Sequence, residues 1–108
     1  MASGFGDMQS LLKQAQDMQR RMQDTTRSLG ERILEGSAGG GVVKAYVNGN
    51  LELQAVKIQK AAVDPSEVET LEDLVLVAVR QALQAAKDLK DREMAKVTGG
   101  MNLPGMGF

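Results

Sequence analysis

From about Gly6 to Glu35 the apolar side chains keep a heptad. Met8, Ala15, Met22 and Leu29 form one core register, and Leu11 and Met18 fall in the other. A stripe with this period belongs to a long helix that needs a partner surface along its length. A helix of about 30 residues is about 45 Å long, so whatever it packs against must be long as well. The outer face carries a second repeat, Lys13, Arg20 and Arg27, interleaved with Asp17, Asp24 and Glu31. Lys13–Asp17, Arg20–Asp24 and Arg27–Glu31 have i,i+4 spacing, while Asp17–Arg20 and Asp24–Arg27 have i,i+3 spacing. Such pairs support a solvated helix by about 0.2–0.5 kcal/mol each. Arg21 stands off this ladder without an obvious local partner. One segment therefore offers both a packing face and a charged face.

The glycine-rich run Gly36-Ser37-Ala38-Gly39-Gly40-Gly41 cannot continue the helix and reads as a flexible connector. It leads into a strand rather than a helix and lacks a following Lys-Ser or Lys-Thr, so it is not a phosphate-cradling loop. Val42 to Val47 has strand composition, and Asn48-Gly49 predicts a type I′ hairpin turn. On the return, Leu51 and Leu53 point one way but Val56 and Ile58 the other. A strand of period 2 cannot place both sets on one face. A bulge or break near Gln54-Ala55 resolves this by splitting the return into two short strands, giving a three-stranded antiparallel meander.

Asp64-Pro65-Ser66-Glu67 reads as a helix start, with Asp64 as N-cap, Pro65 in the first helical position and Glu67 completing a capping box. This helix is expected to run to about Thr98 and stop at Gly99-Gly100. Leu71, Val75, Ala78, Ala82, Ala85, Ala86 and Leu89 share one stripe. The acidic residues at its start and basic residues at its end complement the helix dipole and call for no functional explanation. The segment 99–108 reads as a flexible tail whose apolar residues could dock.

One domain with one modest core is expected for a chain of 108 residues. That core must be aliphatic, because Phe5, Tyr46 and Phe108 are the only aromatic residues. Histidine and cysteine are both absent. A zinc site, a Ser-His nucleophile and a thiolate are thus excluded by inventory, and no metal, cofactor or small-molecule substrate is expected. Enzymatic activity is not expected, since no nucleophile–base pair stands out. No long apolar stretch or leader-like segment is apparent, so the expectation is a cytoplasmic protein without membrane contact. A sheet of three short strands spans about 20 Å and cannot cover two helices more than twice that length. A homodimer is therefore expected, with Met8, Leu11, Ala15, Met18 and Met22 as its candidate contacts.

Leu12-Lys13-Gln14-Ala15-Gln16-Asp17-Met18-Gln19 resembles the first-helix signature of the YbaB/EbfC nucleoid-associated proteins. Similar features follow in order: the glycine-rich connector into Val42-Val43-Lys44, Asn48-Gly49, Leu71-Glu72-Asp73-Leu74-Val75, and Met94 through Thr98-Gly99-Gly100-Met101 to Leu103-Pro104-Gly105. The resemblance covers nearly the whole chain. It implies an α+β subunit: a long N-terminal helix, a three-stranded antiparallel meander and a long C-terminal helix, paired as an intertwined or tweezer-like homodimer. It further implies duplex DNA binding with low or modest sequence preference, and a part in nucleoid organisation and gene regulation. Mapped onto this sequence, the implied DNA contacts are Lys13, Arg20, Arg21 and Arg27, with Lys87, Lys90, Arg92 and Lys96 as a second group.

The net charge of −1 supplies no general attraction for DNA. It favours a rival reading, an adaptor that engages a replication or repair protein through the Met-rich helix and the tail.

Overall fold

The computed structural model describes residues 3–99, and the side chains of residues 7–99. The heptad segment is a helix, α1 (Ser3–Gly30), which ends earlier than the sequence suggested. Its last hydrogen bonds are tight, Glu31 N to Ser28 O and Arg32 N to Leu29 O, both 3.1 Å. Glu31 lies beyond the helix, so the ladder's final pair with Arg27 does not form.

The chain then enters β1 (Ile33–Ala38), β2 (Val43–Asn48) and β3 (Leu53–Ile58), an antiparallel sheet in the order β1-β2-β3. The three-stranded meander is therefore present, but its strands are drawn differently. Gly36-Ser37-Ala38, read as connector, belong to β1, and only Gly39–Gly41 make the link. All three take positive φ (64°, 71° and 96°), the region that favours glycine. The return strand stays whole. Its pairing shifts from Tyr46↔Ala55 to Val47↔Leu53, so Gln54 is the extra residue of a bulge. That bulge brings Leu53, Val56 and Ile58 onto one face, which resolves the conflict in the sequence without a break.

Asn48-Gly49 does mark the turn, but not a type I′ turn. The loop spans Gly49 to Glu52, and the positive φ falls on Leu51 (65°). Asn48 holds it together, its Oδ1 accepting from the amides of Asn50 (2.9 Å) and Glu52 (3.1 Å). Gly49 serves close packing instead: its amide donates to Leu29 O at 2.8 Å, and a Cβ there would meet that same oxygen at 2.7 Å.

The second helix, α2, spans Val68–Thr98, with Glu67 rather than Asp64 preceding it and no side-chain cap. Asp64 instead closes an Asx turn, accepting from Ser66 N (2.9 Å) and Ser66 Oγ (2.7 Å). The competing local bond removes it from the helix. The end at Thr98 and the break at Gly99 agree with the sequence, whereas the remainder of the tail lies outside the described residues.

Paired positions define the inner sheet face: Leu34, Gly36 and Ala38 on β1, Val43, Ala45 and Val47 on β2, and Leu53, Val56 and Ile58 on β3. α2 crosses the first two rows, burying Ala78, Ala82 and Ala86 of its expected stripe against Val43, Ala45 and Val47. Alanines and Gly36 let helix and sheet approach closely, and the third row remains exposed.

On the outer face Glu35 lies opposite Tyr46 and forms an ion pair with Lys44 at 3.8 Å. By accepting from the phenol and adding its own charge, Glu35 holds Tyr46 above its ordinary pKa. The favoured state is the neutral phenol. This contact therefore stabilises the fold below the unfolded value of about 10 and is lost as pH rises through the folded one. The chain has one tyrosine and no tryptophan, so tyrosinate absorbance reads this group alone. The Glu35→Gln variant is expected to titrate at lower pH than the parent; coincident curves would remove Glu35 as the cause.

Candidate nucleic-acid interface

The ends of α1 and α2 leave the sheet together as an arm. Arg21, Asp24 and Thr25 share a shallow recess with Glu93, Lys96 and Val97, and Ser28, Leu29 and Arg32 share its neighbour with Glu93. Rising numbers on α1 meet falling numbers on α2, so the two helices are antiparallel. The Cα radius of gyration is 20.9 Å, against about 13 Å for a compact chain of this length. The chain is correspondingly long, 79 Å on its greatest axis.

The candidate cations lie on α1 and α2, with Lys13 beyond the level at which α2 ends and Lys87 next to the sheet-packed Ala86. Lys13, Arg20, Arg21 and Arg27 are exposed on α1, and Lys87, Arg92 and Lys96 are exposed on α2, with Lys90 half-buried. The ladder pairs by the shorter spacing: Arg20 meets Asp17 at 3.6 Å and Arg27 meets Asp24 at 3.8 Å. On α2, Lys87 meets Asp91 at 3.6 Å and Lys96 meets Glu93 at 3.3 Å. Exposed pairs of this kind contribute about 0.2–1 kcal/mol, little enough that a phosphate can draw the cation away. Lys13, Arg21, Lys90 and Arg92 make no ion pair with a described residue. The structure brings Arg21 and Lys96 into one recess and spreads the others along the two helices.

Arg32 was not among the candidates. It meets Glu93 at 3.6 Å, and Glu93 also takes Lys96. One carboxylate thus ties the α1–β1 junction to α2 and fixes the two helices side by side. A cation just past Gly30 was the available signal, but its partner lies far away in sequence.

The dimerisation candidates are placed differently. Met8, Leu11, Ala15 and Met22 are exposed, and Met18 is half-buried. They do not pack on the chain's own sheet, which removes the simplest alternative use of the seam. Among the described residues, no helix is long and apolar enough to cross a membrane.

Among the described residues, a small sheet carries a paired-helix arm with charged flanks and shallow, open recesses. Residues 4–101 match the YbaB/EbfC DNA-binding family. A nucleoid-associated protein of Moorella thermoacetica is 51% identical over 102 residues, covering 94% of this chain and 98% of the relative. One from Thermoanaerobacter sp. is 48% identical over 103 residues, covering 95% and 92%. The crystal structure of an uncharacterized Helicobacter pylori protein shares the fold at a TM-score of 0.73 and 19% identity, covering 88% of this chain and 97% of that one. The chain belongs to the YbaB/EbfC DNA-binding family, a class defined by DNA binding rather than catalysis.

Proposed function

We propose that this chain is a homodimeric nucleoid-associated protein of the cytoplasm that binds duplex DNA with low or modest sequence preference. In this reading it contributes to nucleoid organisation and gene regulation. The observation that carries the reading is family membership across nearly the whole chain. The arm gives it a physical form: exposed cations on α1 and α2 meet phosphates, which position the protein without reading sequence. The weak intrahelical pairs give way to phosphate, and duplication in a dimer doubles every contact.

The dimer is best supported at the uncovered third row of the sheet. Leu53, Val56 and Ile58 face the same side as the buried β2 row yet stay exposed. Ile58 opens onto an apolar groove of about 470 Å³ with Val68, Leu71, Val75, Leu76 and Val79 of α2. The two sheet edges also differ. Gln81 Oε1 accepts from the Ser37 amide at 2.7 Å on β1, whereas no described side chain hydrogen-bonds the backbone of β3. An open apolar edge pairs readily with its own copy in antiparallel register about a two-fold axis. Charge favours the same contact, because Lys57 lies in β3 and Lys60 just beyond it, while Glu67, Glu69 and Glu72 crowd the start of α2. Val56→Lys is expected to convert the dimer to monomer in sedimentation at micromolar protein; a persisting dimer would move the interface, with the α1 seam as the next surface.

DNA binding is tested by anisotropy of a labelled duplex across a salt series. If Lys13, Arg21, Lys90 and Arg92 of both subunits each meet a phosphate, log K falls against log salt with a slope of about −7. Absence of binding at micromolar protein in low salt would overturn the reading. The adaptor alternative then gains, and a protein partner that survives nuclease treatment would identify it.

A further inference from the structure

The α1 seam is covered at one end and bare at the other. Leu29 is 1% exposed, Met22 43%, Leu11 64% and Met8 69%. The gradient follows the end of α2. Glu93 lies beside Thr25 and Leu29, and Val97 beside Arg21, so α2, ending at Thr98, stops level with about Arg20. Further along, residues 7–16 are exposed without exception. The flanks of this bare stretch carry a definite charge pattern. With Met8, Ala15 and Met22 as heptad a positions and Leu11 and Met18 as d positions, the e and g positions from residue 7 to 21 are Asp7, Leu12, Gln14, Gln19 and Arg21. Only Asp7 and Arg21 are charged, with opposite sign, and neither makes an ion pair with a described residue.

We propose that this bare seam pairs antiparallel with the same seam of a second copy of the chain, an interface separate from the sheet edge. A two-fold axis level with Lys13 stacks Met8 on Met18 of the copy and Leu11 on its Ala15, so a large side chain meets a small one at the centre. In an antiparallel pair g faces g and e faces e. Asp7 then meets Arg21 of the copy at both ends, with Gln14 facing Gln14 between them, and on the other flank Leu12, 61% exposed, covers Leu12. A parallel pair sets g against e instead. It would place Asp7 beside Leu12, Arg21 beside Thr26 and Ala15 against Ala15, leaving both charges unpaired and a gap in the seam. The ends fit as well: about the same axis α2 of the copy stops just short of Asp7, so each α2 ends where the overlap begins. Lys13, Arg20 and Arg27 stay on the outer face. An overlap of about 15 Å is a weak contact between free molecules and a firmer one between molecules held on one duplex, where effective concentration is high. Seam and sheet edge together link dimers into larger assemblies; that consequence rests on the proposed dimer and DNA binding, whereas the pairing itself does not.

The chain has no native cysteine, so introduced thiols report without background. Full-length Leu11→Cys and Ala15→Cys proteins are mixed without DNA at submillimolar concentration under mild oxidation, and the disulfide products are resolved by mass. The mixed bond between the two variants is expected to form at least about tenfold faster than the bond of either variant with itself. Asp7→Arg in both proteins should slow the mixed bond about fivefold, and adding Arg21→Asp to both should restore it. Faster bonding of each variant with itself would mean parallel pairing and overturn the proposal. Equal rates, absence of any bond, or a rate that ignores the charge reversal would overturn it too. The same preference is expected in a Val56→Lys background, so failure of the edge dimer leaves this result readable. A preference that vanishes with Val56→Lys would overturn the seam as a separate interface.

Discussion

Replacing Arg20, Arg21 and Arg27 together with Glu is expected to abolish duplex DNA binding, weakening it at least about a thousandfold at low salt. In a dimer the triple variant removes cations from both arms and puts anions in their places. The fold should survive. All three side chains are exposed, and the pairs removed, Arg20–Asp17 and Arg27–Asp24, are held at 3.6 and 3.8 Å on the solvated face. The new like-charge neighbours cost about 0.2–0.5 kcal/mol each. Glu in place of Arg27 near the α1 C-terminus opposes the helix dipole by about 0.3–1 kcal/mol. Far-UV dichroism and sedimentation should therefore match the parent. A Gln triple variant, which removes charge without adding repulsion, should bind weakly with a flatter salt slope. If the Glu variant keeps its affinity while Lys87, Lys90, Arg92 and Lys96 prove sensitive, the contact lies on α2. Sensitivity of both sets would mean that the duplex spans the arm.

The cations of that prediction were legible in the sequence because they belong to helices with strong period, and a residue's face on a helix follows from its number. Their pairing was not fully legible. Spacing let Lys13 and Arg20 compete for Asp17, which Arg20 takes, and Glu31 looked available to Arg27 until the helix ended at Gly30. The Arg32–Glu93 contact joins residues brought together only by the fold, so no local pattern announces it.

The strands show the same division. β2 was visible in Val43-Lys44-Ala45-Tyr46-Val47, and the conflict between Leu53 and Val56 located the bulge. β1 was not visible. Ile33-Leu34-Glu35-Gly36-Ser37-Ala38 has few β-formers and a glycine, and its strand character comes from pairing with β2 and from α2 lying over it. Asp64 carried the features of an N-cap, yet a bond to Ser66 was closer at hand and the helix began at Val68. In each case a local preference was read correctly and a nearby or tertiary alternative won.

Gly36 is where that tertiary dependence is strongest, and Gly36→Ala is expected to cost about 3 kcal/mol. For a domain of this size that lowers Tm by about 12–20 °C. A Cβ at this position would run into the Ala78 carbonyl oxygen and come within 2.5 Å of the Ala82 amide nitrogen. Both obstacles are helix backbone, which cannot turn aside as a side chain can. To admit one methyl group, α2 must lift from the sheet, which loosens the contacts of Ala78, Ala82 and Ala86 with β2 together. Trimming the neighbouring side chain with Ala82→Gly should give no rescue, because the backbone atoms remain. Gly40→Ala supplies the contrast. Its φ is 71° but a Cβ there meets nothing within 4 Å, so only backbone strain of about 1–2 kcal/mol applies. Thermal melts of the two variants thus separate close approach from conformational freedom. A Gly36→Ala protein as stable as the Gly40→Ala one would mean that α2 does not sit against β1 as described. A larger side chain, as in Gly36→Val, is expected to prevent folding, and with α2 unseated the arm that presents Arg21 beside Lys96 would be lost as well.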